Sequence, residues 1–81
     1  SEGNQLAERV RAAIQKLSED QREVIILKEY EGLTFAEIAE TLGLPTSTVK
    51  TRLYRGLVEM KQHLAREGVT SASAIHDSNE S

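Results

Sequence analysis

The sequence contains no cysteine, no tryptophan and only two histidines. The absence of cysteine excludes disulfides, thiolate zinc sites and a cysteine nucleophile. The histidines, His63 and His76, lie far apart, and neither has a second histidine at metal-ligand spacing. We therefore expect neither a bound metal nor another cofactor.

Long apolar runs are also missing. No stretch approaches the roughly 18 residues that a membrane helix requires, and the N-terminus lacks the basic-then-apolar layout of a signal peptide. The chain has no glycine-rich loop of the kind that binds phosphate, and 81 residues are few for an enzyme. We therefore expect one small domain that is not an enzyme, acts in the cytoplasm and does not contact a membrane.

The net charge of −3 is unevenly distributed along the chain. Residues 46–66 hold five basic side chains and one acidic side chain, Glu59. Residues 1–45 hold five basic and nine acidic side chains, and residues 67–81 hold three acidic ones. A single cationic stripe on an acidic body predicts a surface that binds phosphate groups.

The spacing of apolar residues predicts four helices and an all-α fold. The first helix carries an apolar stripe between Leu6 and Leu17, with Asn4 as its N-cap. The second begins with a capping box at 18–21 and ends at Gly32, where glycine can adopt the left-handed conformation. Val24, Leu27 and Tyr30 are expected on its inner face. Ile25 and Ile26 make the helix apolar on more than one side, so it either packs between two other helices or leaves Ile25 or Ile26 available to a protein partner.

The third and fourth helices are predicted to form a helix-turn-helix. A second capping box, at 34–37, starts the third helix, and Gly43 ends it. The fourth helix then runs from about Thr46 to about Arg66, because Pro45 cannot continue the previous helix but favours the start of a new one. Apolar side chains should lock the two helices together, namely Ile38, Leu42, Val49 and Leu53.

The face of the fourth helix opposite its apolar stripe is predicted to enter the major groove of DNA. At about 100° per residue, this face holds Ser47, Thr51, Arg55 and Val58. Arginine can donate two hydrogen bonds to one guanine edge, and threonine can contact a base through its hydroxyl or its methyl group. Side chains at the helix start can bind phosphate together with exposed backbone N–H groups. The predicted DNA-binding residues are Ser47, Thr48, Lys50, Thr51, Arg52, Tyr54 and Arg55.

Four segments of the sequence resemble region 4 of the sigma-70 superfamily, especially its small extracytoplasmic-function members. They are Arg22-Glu23-Val24, the run from Glu31 to Ala39, Leu42-Gly43-Leu44-Pro45, and Thr48-Val49-Lys50-Thr51-Arg52-Leu53. Region 4 usually has Arg-Ala-Arg or Arg-Ala-Lys where this sequence has Arg55-Gly56-Leu57. The missing last base removes one expected contact with the DNA backbone.

The resemblance implies a four-helix domain with a C-terminal helix-turn-helix, related to the winged-helix class but without a wing. It implies binding to the −35 element of bacterial promoters, with Lys50, Thr51, Tyr54 and Arg55 toward DNA. The implied protein partners are the β-subunit flap of core RNA polymerase and an anti-sigma factor, and the implied site of action is the bacterial nucleoid. Because the promoter-melting domain that precedes region 4 is absent from this sequence, we expect no transcription initiation by the fragment alone.

Two other functions are compatible with a helix-turn-helix. The effector domain of a response-regulator-type transcription factor shares Glu-Ile-Ala and Thr-Val-Lys, and dimerisation on DNA would favour it. A protein-docking helix-turn-helix without DNA binding would show weak association with DNA that does not depend on salt.

The expected domain organisation follows from where the apolar periodicity begins and ends. Residues 1–5 are interpreted as a linker or a remnant of the expression vector, and residues 6–66 as a monomeric DNA-binding domain. Residues 67–81 are small, polar and without periodicity, and are therefore expected to form a disordered tail.

Overall fold

The computed structural model describes the backbone of residues 2–68 and the side chains of residues 5–68. This part of the chain forms helices α1 (Glu2–Gln15), α2 (Glu19–Ile25), α3 (Phe35–Leu42) and α4 (Thr46–Arg66), and α2 continues directly into a π-helical segment, Ile26–Tyr30. No strand occurs within residues 2–68. The predicted all-α, four-helix fold is therefore confirmed. None of these helices is both long enough and apolar enough to span a bilayer.

The core is a cluster of aliphatic side chains contributed by all four helices. Helix α4 is the central element, because it packs against α1, α2 and α3. Its buried residues include Val49 and Leu53, which meet Ile38 of α3 as the sequence predicts. The most deeply buried large side chains are Val24, Ile25, Ile38 and Val49.

Hydrogen bonds at the helix ends fix where α2 and α3 begin. The Thr34 hydroxyl accepts from the Glu37 N–H at 3.1 Å, and the Glu37 carboxylate accepts from the Thr34 N–H at 2.8 Å. This second hydrogen bond lowers the pKa of Glu37, and the pair completes the predicted capping box. At α2 the Ser18 hydroxyl accepts from the Gln21 N–H at 3.3 Å, but the Gln21 side chain binds Glu59 instead. The predicted capping box of α2 is therefore half formed.

The turn between α3 and α4 requires a glycine. Gly43 has a φ of +69°, a left-handed conformation that side-chain-bearing residues rarely adopt. Its N–H donates to the Ala39 carbonyl, and the Leu44 N–H donates to the same oxygen at 3.0 Å. These bonds provide a donor for a carbonyl group that the last turn of α3 would otherwise leave unpaired. Helix α4 begins at Thr46, directly after Pro45. The helix-turn-helix therefore lies where the sequence predicts it.

The predictions for Tyr30 and Ile25 are wrong. Tyr30 is 56% exposed, whereas Ile25 is 1% exposed and belongs to the core. The chain adopts a wider turn after Ile25, in which the Glu31 N–H donates to the Ile26 carbonyl five residues earlier at 3.0 Å. Because the helical wheel assumes a regular α-helix, it does not place Tyr30 correctly. Ile25 lies within the regular part of α2 and is buried because its side chain packs against Gly56 of α4. Ile25 is therefore excluded as a surface contact, while Ile26 is half-buried.

Both predicted domain ends also differ from the structure. Helix α1 begins at Glu2, so Asn4 lies within the helix instead of capping it. Residues 2–5 contain no proline that would end the helix, although Gly3 and Asn4 are poor helix formers. Glu67 belongs to the fold, because Lys16 Nζ lies 2.6 Å from its carboxylate and Arg9 donates to its carbonyl at 3.1 Å. The Lys16 contact lowers the pKa of Glu67. The prediction of a disordered tail otherwise falls on residues 69–81, outside the described residues.

Gly56 allows α2 and α4 to pack closely. A Cβ atom at this position would lie 2.8 Å from Ile25 Cδ1 and 3.3 Å from Gln21 Cβ. Both distances are shorter than ordinary van der Waals contact. The glycine at this position, where region 4 usually has alanine, is therefore explained by the side chains of α2 that lie against it.

We expect Gly56→Ala to lower the free energy of unfolding by up to about 2 kcal/mol. Overpacking costs about 1–3 kcal/mol, while alanine improves helix propensity by about 1 kcal/mol relative to glycine. Ile25→Val removes the Cδ1 atom that meets the new methyl group. The double variant should therefore be more stable than the sum of the two single effects predicts, as measured by urea unfolding. Strict additivity would show that the two side chains do not compete for this space.

Candidate nucleic-acid interface

The outer face of α4 is exposed along its N-terminal half and middle. Ser47, Thr51, Arg55 and Val58 are all exposed, and they lie opposite the buried residues Val49, Leu53, Gly56 and Leu64. A helix that buries one stripe and exposes a polar, basic stripe has the shape required for insertion into the major groove. The predicted orientation of α4 in the fold is therefore confirmed, whereas contact with DNA remains a prediction.

The start of α4 keeps backbone donors available. Pro45 precedes the helix and provides no side-chain cap. Its carbonyl accepts from the Thr48 N–H at 3.1 Å and from the Val49 N–H at 3.2 Å. The N–H groups of Thr46 and Ser47 make no hydrogen bond within the described residues. Such unpaired donors at a helix N-terminus favour an anion, and the exposed Ser47 hydroxyl lies beside them.

Arg52 points toward α2 at the side of the exposed face. Its guanidinium Nη1 lies 3.7 Å from the Asp20 carboxylate, and its side chain is 29% exposed. Thr48, on the same side of α4, is half-buried. Arg52 must therefore leave, or share, its contact with Asp20 to bind a phosphate group.

We expect Asp20→Asn to strengthen DNA binding by a few-fold at low salt. The substitution frees Arg52 and removes a negative charge that would repel phosphate. If Arg52 then gains a phosphate contact, the dependence of log affinity on log salt should steepen by about one unit. Glu23→Gln is the matched control, because Glu23 is exposed on the same helix and no ion pair is found for it in the described part of the chain. Equal effects of both variants would show that only the overall charge matters.

Lys50 and Tyr54 lie on the other side of the exposed face, one turn apart on α4. Both contact Phe35, the first residue of α3: the Lys50 ammonium lies 5.5 Å from the centre of the Phe35 ring, and the Tyr54 ring centre lies 6.4 Å from it. A third side chain, Lys28 of the π-helical segment, places its ammonium 4.4 Å from the same ring centre. Phe35 and Lys28 are not among the DNA-binding residues predicted from the sequence. The sequence feature that could have indicated Phe35 is its position as an aromatic residue directly after Thr34, the N-cap of α3.

The only acidic side chain of α4 is held toward α2. Gln21 Nε2 donates to the Glu59 carboxylate at 2.9 Å. Glu59 is half-buried, so its negative charge is partly withdrawn from the exposed face. The cations Lys50 and Arg55 therefore dominate the N-terminal half and middle of that face, where Ser47 and Thr51 supply hydroxyl groups. No group of three potential metal ligands occurs among the described residues.

Comparison with known proteins identifies the same segment. Residues 7–60 match the family model described as sigma-70, region 4. RNA polymerase sigma factor SigV of Bacillus subtilis is 43% identical over 58 residues, which cover 72% of this chain and 35% of that protein. ECF RNA polymerase sigma factor SigW of Bacillus subtilis is 38% identical over 60 residues, covering 74% of this chain and 32% of that protein.

A similar protein occurs in another bacterial genus. ECF RNA polymerase sigma factor SigE of Mycolicibacterium smegmatis is 32% identical over 65 residues, which cover 80% of this chain and 25% of that protein. The chain thus spans about a quarter to a third of the length of these relatives. The family match includes α2, α3 and most of α4, which together form the helix-turn-helix and its support. The chain therefore belongs to the sigma-70 region 4 family.

Proposed function

We propose that this domain binds the −35 element of bacterial promoters and thereby directs RNA polymerase to the start of transcription. The observation that carries the proposal is the exposed face of α4, where Thr51 and Arg55 lie one turn apart opposite the core. This face would enter the major groove, with α3 crossing the DNA backbone. Family membership supports the same function, and the relatives are named as sigma factors of RNA polymerase.

The proposed contacts divide into those that select a sequence and those that bind phosphate. Arg55 and Thr51 would contact base edges, because they occupy the centre of the exposed face. Ser47, Thr48 and the free N–H groups at the start of α4 would bind phosphate on one groove wall. Lys50 and Tyr54 would contact the DNA backbone on the other side. Arg52 would add a phosphate contact when it leaves Asp20.

The proposed protein partners are the β-subunit flap of core RNA polymerase and an anti-sigma factor. A groove of about 220 Å³ lies between α1 and the π-helical segment and is lined by Arg11, Ile14, Gln15, Ile26 and Tyr30. Tyr30 is exposed and Ile26 half-buried there, so the groove offers apolar surface between α1 and the π-helical segment. The sequence predicts a partner surface that includes both Ile25 and Ile26. Because Ile25 is buried, we propose this groove, which includes Ile26 alone, as the partner surface instead.

The function is tested by two binding experiments on the 81-residue chain. The chain should enrich one short motif from a pool of random duplexes, and, immobilised, it should retain purified bacterial core RNA polymerase. Such a protein would act as a monomer in the bacterial cytoplasm, at the nucleoid. Enrichment of no motif, with association that does not change with salt, would favour the protein-docking alternative. Enrichment of a two-fold symmetric motif by a dimer would favour the response-regulator alternative, which neither the family match nor the relatives favour.

A further inference from the structure

Phe35 lies at the junction of three cationic or aromatic side chains that come from two other elements. Lys28 approaches its ring from the π-helical segment at 4.4 Å, and Lys50 approaches from α4 at 5.5 Å. The Tyr54 ring is tilted by 57° against it, at a centre-to-centre distance of 6.4 Å. We call these four residues the Phe35 cluster. The cluster connects α3 and α4, the two helices of the helix-turn-helix, on the side of α4 that carries Lys50 and Tyr54.

The ring can hold these side chains more firmly than solvent would. A lysine ammonium is attracted to the face of an aromatic ring within about 6 Å of its centre, and tilted aromatic pairs are similarly favourable. Phe35 itself is fixed, because it is half-buried and packs against the core. A free lysine side chain would lose most of its rotamer freedom on binding a phosphate. A lysine side chain that is held against the Phe35 ring has already lost part of its rotamer freedom before DNA binds.

The two ammonium groups also remain available to an anion. Neither Lys28 nor Lys50 forms an ion pair with a carboxylate within the described residues. The Glu37 carboxylate accepts a hydrogen bond from the Thr34 N–H, and it also interacts electrostatically with Lys28, which contributes to the lowered pKa of Glu37. Two like charges at one ring repel each other, and a bound phosphate would relieve that repulsion. Glu37 thus offsets part of the Lys28 charge, whereas no ion pair is found for Lys50 in the described part of the chain.

We propose that Phe35 is a positioning residue of the DNA interface, which presets Lys50, Tyr54 and Lys28 as one phosphate-binding edge without itself contacting DNA. This proposal rests on the proposed function of the domain. It adds to that function a residue of α3 and a residue of the π-helical segment, both outside the recognition helix.

The test compares two replacements of Phe35 in the 81-residue chain. Phe35→Leu keeps an apolar side chain against the core but removes the aromatic face, and Phe35→Tyr keeps the face. The probe is a labelled duplex that carries the motif enriched by the wild-type chain. Phe35→Leu should weaken binding roughly five- to tenfold, a change of about one power of ten, and Phe35→Tyr should restore affinity to within about twofold of wild type. Urea unfolding measured on each variant separates this loss from a loss of folded protein.

A double-mutant cycle distinguishes positioning from general damage. In the Lys50→Ala background, Phe35→Leu should weaken binding less than in the wild-type background, because one of the three side chains that it positions is already absent. Lys61→Ala is the matched control: Lys61 is an exposed cation of the same helix, lies two turns beyond Tyr54, and should give additive effects with Phe35→Leu. Additivity with Lys50→Ala as well would overturn the proposal.

A second measurement does not require DNA. Ring-current shifts of the Lys50 and Lys28 side-chain protons should be present in the wild type and in Phe35→Tyr but clearly smaller in Phe35→Leu, in which Tyr54 is the remaining ring of the cluster. Their absence from the wild type would overturn the positioning role even if the domain binds DNA. Failure of the wild-type chain to enrich any DNA motif would instead overturn the proposed function itself, and with it this role.

Discussion

Replacing Ile25 by alanine is expected to lower the free energy of unfolding by about 2–5 kcal/mol, the range for truncating a large buried aliphatic side chain. Ile25 is 1% exposed and belongs to the buried cluster at the junction of α2 with the other helices. Its Cδ1 atom lies beside Gly56, so truncation leaves a cavity between α2 and α4. Because a small domain has only about 5–15 kcal/mol of stability in total, this change is large enough to unfold much of the population.

Ile26→Ala provides the matched comparison. Ile26 is the next residue, has the same side chain, and is only half-buried, so its truncation should cost roughly half as much or less. If the groove beside Tyr30 binds the polymerase flap, Ile26→Ala should also weaken retention of core RNA polymerase while DNA binding is kept. Urea unfolding and polymerase capture measure the two effects separately. Equal loss of stability in the two variants would contradict the burial difference, and unchanged capture would exclude Ile26 from the partner surface.

The helix-turn-helix could be predicted from the sequence because its determinants are local. The Thr34–Glu37 capping box, Gly43 and Pro45 each act within one turn of the residue they affect. Their spacing fixes the bounds of α3 and α4 without knowledge of the rest of the fold. The apolar stripe of α4 is long enough that its period identifies the buried face.

The arrangement of α2 could not be predicted in the same way. Its residues are apolar on more than one side, so periodicity does not identify a single buried face. The π-helical turn then changes the direction in which the following side chains point, which leaves Tyr30 at the surface. Only the packing against Gly56 distinguishes Ile25 from Ile26, and that contact joins residues 31 positions apart in the chain.

For the candidate site, the side chains that α4 itself exposes could be predicted from the sequence, but the contacts that they make with other helices could not. The helical wheel places Ser47, Thr51 and Arg55 on the exposed face because all three belong to α4. It gives no information on Asp20, which approaches Arg52 from α2. It also cannot place Phe35 beside Lys50, because that contact depends on how α3 crosses α4. Side chains that modulate the exposed face from other elements require the tertiary structure.

Arg55→Ala is expected to weaken binding to the preferred duplex by about 1–3 kcal/mol and to relax selectivity at one base pair, most simply a guanine. Arg55 lies at the centre of the exposed face, one turn after Thr51. Lys50→Ala should instead weaken binding to all sequences nearly equally and make the salt dependence shallower by about one unit. Both side chains are exposed, so the free energy of unfolding should barely change in either variant.

Binding of the wild type, Arg55→Ala and Lys50→Ala to a panel of single-base variants of the enriched motif tests most directly whether this face of α4 contacts the bases. The structure predicts that Arg55→Ala abolishes the preference at one position and leaves the preferences elsewhere. It predicts that Lys50→Ala keeps every preference while lowering all affinities. If Arg55→Ala weakens all duplexes equally and Lys50→Ala changes the preferred base, then a different face of α4 lies in the groove.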